Sequence, residues 1–315
     1  MRILVAYDGS VDSEQLFQDL PRAGLPEEGV SVLAASIAEV WMPPGNGAHE
    51  DVDEYPKIVR EWTEHRLKIA NSVMSEAEAL SKFAAEKIGA LFPKWEVDSF
   101  STYGSPAWEI LAKSVDFNAD LIVIGAKGHG ALGRMIMGSV SQKVLTEANC
   151  SVRIARAPDL GNDDNPRIVI GYDGSLGSEH AVDWVAARNW KPMAEVRLVA
   201  AVQSVMPDSI GRFVLPASEV VSSTQAETAI VEELARPAIK RLEKTGLSAE
   251  FVVETAGPRE AIVEHAARWN ADSIFVGANS YTSRLQAALI GGTAAAIAAR
   301  SQCSVEAVRV ASPGI

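Results

Sequence analysis

The chain is written twice. Residues 3–10 read ILVAYDGS and residues 168–175 read IVIGYDGS; residues 119–125 read ADLIVIG and 271–277 read ADSIFVG; residues 150–153 read CSVR and 303–306 read CSVE. The pairs recur in the same order, so each half is most simply one copy of a single fold. Between the copies, APDLGNDDNP at 157–166 is rich in Pro, Gly, Asn and Asp and reads as a linker. The chain therefore divides into a first domain, 1–157, and a second, 158–315.

Each copy alternates two patterns. In the first half, apolar and largely β-branched runs near 2–7, 30–37, 95–102, 120–125 and 151–155 read as strands, short and apolar enough to be buried on both faces. Between them lie helical stripes: Ala70, Val73, Met74, Ala77, Leu80, Ala84 and Ile88, and then Val140, Val144, Leu145 and Ala148. Thr293, Ile297, Ala298 and Ser301 repeat the second stripe with smaller residues, and Pro237 is expected to start or kink a helix within 227–244. Repeated βαβ units imply a parallel sheet covered by helices. Such sheets bind ligands beyond the carboxyl ends of their strands, where the strand order reverses. The segments after the first and the fourth strand of each half are therefore the first functional candidates.

After the fourth strand of the first half comes GAKGHGALGRMIMGSVS, residues 125–141. Its spacing is Gly125, two residues, Gly128, nine residues, then Gly138-Ser139. Glycines there let backbone N–H groups approach a polyphosphate, because no Cβ intervenes. Gly138-Ser139 falls at a helix start, where unpaired amides and the positive end of the dipole favour an anion. Lys127 and Arg134 add charge that the chain, at a net −12, otherwise lacks. The run is neither a P-loop, since no Gly-Lys-Ser/Thr occurs in it, nor the dinucleotide fingerprint that follows a first strand. On spacing alone, a phosphate cradle and a turn whose Ser139 merely caps a helix stand level.

The repeat and this motif together resemble the universal stress protein (UspA-like) family. The likeness rests on Asp8 in VAYDGS, on Gly125-x2-Gly128-x9-Gly138-Ser139 and on the closing strand CSVRIAR, and it spans the chain as two fused copies. The resemblance implies an α/β, Rossmann-like fold of the adenine-nucleotide α-hydrolase type: two tandem open parallel five-stranded sheets, order 3-2-1-4-5, flanked by helices. It implies ATP as the ligand, with Mg2+ or Mn2+ riding on the phosphates. Asp8 and the backbone around Ala6, Tyr7 and Ile37 would hold adenine. Gly125, Lys127 and Gly128 would line the ribose and phosphates, and Arg134, Gly138, Ser139, Val140 and Ser141 would close on the phosphates. The family pairs through its last strand, so a tandem chain would mimic that dimer internally, 151–155 facing 304–310, and a further homodimer stays open.

The copies are unequal where phosphate would sit. Ser280 replaces the second glycine, Gly292 stands where Ser139 does, and the run from Ser280 to Ile290 has one basic residue, Arg284, out of register. Asp173 and Val202 are taken to match Asp8 and Ile37. The first repeat is therefore expected to bind ATP and the second weakly or not at all.

Other features carry less. The negative charge disfavours nucleic acid and anionic lipid as partners. No apolar run approaches the roughly 20 residues of a membrane span, and the N-terminus has no signal-peptide pattern. Cys150 and Cys303 read as buried free thiols of a reducing cytoplasm. The irregular segment 41–55 follows the second strand, and its acidic residues lack the spacing of a hard-cation loop. His129 lacks a partner for general-base work. His65, His180 and His265 are expected on the surface, and Trp62, Trp108, Trp184 and Trp269 as packing residues on helices. Three functions follow in order: a nucleotide-responsive stress module with no catalytic residues, a slow ATP hydrolase, and a nucleotide-independent partner-binding protein.

Overall fold

The computed structural model describes residues 1–39, 57–127, 137–157, 165–202, 217–278 and 292–309, with side chains of the two long helices described from 72 and from 228 onward. The first repeat runs β1 (Arg2–Ala6), short helices α1 (Val11–Glu14) and α2 (Leu16–Asp19), β2 (Ser31–Glu39), α3 (Lys57–Leu91), β3 (Glu96–Gly104), α4 (Pro106–Asp116), β4 (Leu121–Gly125), α5 (Ser139–Glu147) and β5 (Ser151–Ala155). The second runs β6 (Arg167–Gly171), α6 (Leu176–Ala186), β7 (Glu195–Ala201), α7 (Ala217–Lys244), β8 (Ser248–Glu254), α8 (Pro258–Trp269), β9 (Ser273–Gly277), α9 (Gly292–Arg300) and β10 (Ser304–Val308).

The strands form one sheet in the order β3-β2-β1-β4-β5-β10-β9-β6-β7-β8. Each half has the expected order 3-2-1-4-5 with parallel neighbours. The two sheets are not separate, however. β5 and β10 pair antiparallel, Arg153 opposite Glu306, and join the halves into ten continuous strands. Each repeat ends on an edge strand whose backbone groups need partners, and pairing the two edges satisfies both.

The central strands are apolar on both faces because both faces are covered. Leu4, Ile122 and Ile124 meet Ile110 of α4 and Val144 and Leu145 of α5 on one side, while Ile3, Val5, Leu121 and Val123 meet Leu16, Phe17, Ala84 and Ile88 on the other. The first of these clusters continues through Val152 and Ile154 into Val305, Ala307, Ile274 and Val276, so one core crosses the seam between repeats. Pro237 does not break α7, which runs through it. The proline costs the helix a bond to the carbonyl of Glu233, and both residues are exposed, so water can serve that carbonyl.

Two strand ends differ from expectation in a way that shapes the site. β2 and β3 stay paired as far as Glu39 and Gly104, but the β1–β2 ladder ends at Ala6 and Ala35. The last residues of β2 thus overhang the end of β1.

Candidate functional site

At that overhang lies a cleft of about 650 Å³, between the carboxyl ends of β1, β2 and β4 and the helices α3, α4 and α5. Its size is within the range of small-molecule sites, about 300–1,000 Å³. Ala6, Tyr7, Asp8, Ile37, Gly125, Lys127, Gly138, Ser139, Val140 and Ser141 all line it. Gly128, Arg134 and His129, the segment 41–55 and residues 280–290 lie outside the described residues.

One end of the cleft is a backbone edge. The Tyr7 N–H donates to the Ala35 carbonyl at 2.9 Å, and the Ser36 hydroxyl donates to the Tyr7 carbonyl at 2.6 Å. In a parallel ladder the next β2 residue on that side is Ile37, and there β1 has ended, so its backbone edge opens on the cleft. Tyr7 contributes main chain rather than its ring tip: its hydroxyl donates to Glu14, and burial together with that carboxylate pushes its pKa well up. Asp8 combines two roles, since it lines the cleft and its carboxylate also accepts from the Ser10 N–H at 3.0 Å and hydroxyl at 2.6 Å. Ser10 is the N-cap of α1, as its Asp-Gly-Ser context suggests.

The other end is a helix start. Gly138, not Ser139, is the N-cap of α5, in extended backbone, and no side chain caps it. Of the two readings left level, the one that makes Ser139 a cap is not met, because the helix begins one residue earlier than such a cap allows. The first intrahelical bond runs from the Gln142 N–H to the Gly138 carbonyl at 2.9 Å, so the amides of Ser139, Val140 and Ser141 precede it. The buried Ser141 hydroxyl donates to the Gly125 carbonyl at 2.7 Å and ties α5 to β4. A Cβ on Gly125 would lie 2.9 Å from the Asp12 carbonyl oxygen, so this glycine also serves the close approach of α1. Among the described lining residues, Lys127 is the one base, set against Asp8, Glu39 and Glu76.

The second repeat keeps the frame and changes the contacts. Asp173 accepts from the Ser175 N–H at 3.0 Å as Asp8 does from Ser10, and Ser175 caps α6. Burial would raise the Asp173 pKa, but the Ser175 and Ser178 hydrogen bonds outweigh it and hold the carboxyl below its usual range. The Tyr172 N–H donates to Val199, which makes Ala201, not Val202, the counterpart of Ile37; the sequence match is one residue out. Ala294 takes the place of Ser141, so the tie to the fourth strand is lost. Gly292 opens α9, and a Cβ there would lie 3.0 Å from the Arg259 guanidinium, so a side chain of the repeat itself fills the approach to that helix.

Part of the lining carries no signal of its own in the sequence. Val73, Ala77 and Leu80 belong to a stripe read only as core, yet with Glu76, Pro106 and Ile110 they form one wall of the cleft. Two further expectations need correction. His265 is buried, its Nδ1 2.7 Å from Glu254, because β8 brings that carboxylate against α8. Trp108 is 55% exposed, with the Lys143 ammonium 3.7 Å from its ring centre, rather than packed. Among the described residues, no helix is long and apolar enough to cross a membrane.

A family model described as the universal stress protein family matches residues 1–156 and again 165–309. A universal stress protein of Thermus aquaticus is 33% identical over 156 residues, which cover 49% of this chain and 97% of that one. One of Mycobacterium tuberculosis strain H37Rv is 26% identical over 275 residues, 80% of this chain and 85% of the relative. Among solved structures, a universal stress protein of Archaeoglobus fulgidus superposes with a TM-score of 0.64 at 20% identity, covering 98% of each chain.

Proposed function

The chain belongs to the universal stress protein family, and on that premise we propose that it binds ATP in the cleft of its first repeat and acts as a nucleotide-responsive regulatory module. Adenine lies against the backbone edge at Ala6, Tyr7 and Ile37, with Asp8 beside it. The triphosphate runs past Gly125, Lys127 and Gly128 to the start of α5, where Gly138, Ser139, Val140 and Ser141 receive it and Arg134 closes over it. Mg2+ or Mn2+ arrives on the phosphates.

The observation that carries this reading is the junction of two complementary ends in one cleft: a strand edge that outruns its neighbour, and a helix start whose first amides precede any intrahelical bond. Micromolar affinity needs about 8 kcal/mol. A helix dipole contributes about 1–2 kcal/mol at most. Charge-assisted hydrogen bonds of roughly 1.5–3 kcal/mol each, with burial of the base, supply the remainder. The second repeat has lost its counterparts to Lys127, Ser139 and Ser141 and is a weak site or none.

The same reading divides the chain at 157/158, treats β5 and β10 as an internal copy of the family's dimer contact, and places the protein in the cytoplasm. The test is the identity and amount of small molecule released from freshly purified protein. One equivalent of adenine nucleotide, lost in Gly138→Asp, is expected; protein free of nucleotide that also fails to take up ATP would overturn the proposal.

A further inference from the structure

The seam between the repeats is two-fold in outline and broken at its centre. The β5–β10 register pairs Val152 with Ala307, Arg153 with Glu306 and Ile154 with Val305. Arg153 and Glu306 hold equivalent places in CSVR and CSVE, so the local two-fold axis passes between them. Away from the axis the symmetry holds: the Arg156 N–H donates to the Ser304 hydroxyl at 2.9 Å and the Arg309 N–H to the Ser151 hydroxyl at 3.1 Å. At the axis it fails. Arg153 is fully buried and donates to both Asp19 oxygens at 2.6 Å and to Glu306 at 3.2 Å. Glu306, also fully buried, accepts from Trp184 at 2.5 Å and from Arg188. Counted from the two aspartates of YDGS, Trp184 stands where Asp19 does and Arg188 where Ala23 does.

A row of alternating charge therefore crosses the seam: Asp19, Arg153, Glu306, Arg188. Two first repeats joined through β5 would set Arg153 against its own copy, and two second repeats would set Glu306 against its own. Like charges directly opposite in an antiparallel pair repel, and although Asp19 stays with Arg153 and Arg188 with Glu306, the Arg153–Glu306 bond across the axis would be replaced by a like pair inside the core. Shape acts in the same sense. Gly24, at φ +63, lets the Trp190 ring come to within 2.6 Å of where a Cβ would stand, and the Asn189 N–H donates to the Gly24 carbonyl at 2.8 Å. The residue at that count in the second repeat is Asn189, whose Cβ would meet the indole in a pair of second repeats.

We infer that the seam is keyed, by buried charge and by the Gly24–Trp190 contact, to join a first repeat only to a second repeat, so that the fused chain closes on itself and rejects like-with-like pairing through β5 and β10. The inference does not depend on what the cleft holds.

The test is made on the whole chain with a protease site inserted between 157 and 165. The folded protein is nicked, taken apart in denaturant, returned to buffer and weighed by native mass spectrometry. Mixed pairs of one first and one second repeat are expected to exceed like pairs by about a hundredfold, and Arg153→Gln with Glu306→Gln is expected to raise pairs of first repeats by about tenfold. Pairs of second repeats stay rare in that variant, because the Trp190 contact remains. Like pairs at statistical abundance in the parent, or an unchanged ratio in the variant, would overturn the inference. Should the nicked halves fail to refold, the intact chain decides. Glu306→Arg, which puts two arginines on the axis, is expected to lower the melting temperature about twice as far as Glu306→Gln; equal losses would sink the idea.

Discussion

The two repeats have one backbone plan and two uses for it. Both carry a strand, an Asp-Gly-Ser turn that caps the next helix, and a fourth strand ending in glycine. Part of what survives in both serves packing, and what differs lies around the proposed phosphate end and at the seam. Gly125 and Gly277 are the clearest case. A Cβ on Gly125 would be 2.9 Å from a backbone oxygen of α1, and one on Gly277 would be 2.1 Å from the backbone of Gly177 in α6. A glycine kept in both halves, one of which has lost Lys127, Ser139 and Ser141, marks a helix–strand contact before it marks a ligand.

Four experiments press on that contrast. The largest effect is expected from Gly277→Ala, which drives a methyl into main chain that cannot yield and should cost about 3 kcal/mol or more in thermal unfolding; Gly125→Ala, facing a longer contact, should cost less. Equal costs would mean the repeats pack their first helices alike. Next, Gly138→Asp should weaken ATP binding about a hundredfold, or about 2.7 kcal/mol, by setting a carboxylate where phosphate would lie. Asp is a favourable N-cap and the backbone at Gly138 is extended, so melting should not fall. Asp8→Asn should weaken ATP binding about tenfold, while Asp173→Asn leaves it unchanged. Asp173→Asn acts elsewhere. A carboxyl held below its unfolded value near 4 stabilises the fold above that pH and loses this as the pH falls through the folded value, so the variant should show a flatter acid limb. The smallest effect is Ser141→Ala, expected to cost about 1 kcal/mol through the unpaired Gly125 carbonyl; the second repeat already lives with Ala294 there.

Most of the architecture was legible because the sequence repeats. Strand positions and order within each half followed from apolar runs and the family resemblance; the resemblance also implied 151–155 facing 304–310, of which the structure pairs 152–154 with 305–307. The register of that pairing, Arg153 opposite Glu306, was not legible, because it depends on two strands 153 residues apart. The cleft residues on strands and turns could be named in advance, since punctuation by Gly, Asp and Ser marks them. The α3 wall could not: Val73, Ala77 and Leu80 have the spacing of any buried stripe, and only β2 overhanging β1 leaves part of it lining a cleft. The match of Ile37 to Val202 slipped by one because the loops before the two second strands differ in length by one residue, which a strand-to-strand hydrogen bond resolves and a pattern does not. The seam does leave a signal in the sequence: a charge in the middle of a buried strand, of opposite sign in CSVR and CSVE.

The central claim is that one fold, used twice, holds nucleotide once. Titrating the intact chain with ATP in a calorimeter tests it most directly. One site per chain is expected, weakened about a hundredfold by Gly138→Asp and untouched by Asp173→Asn. Two equivalent sites, or a single site whose affinity Gly138→Asp leaves unchanged, would contradict it.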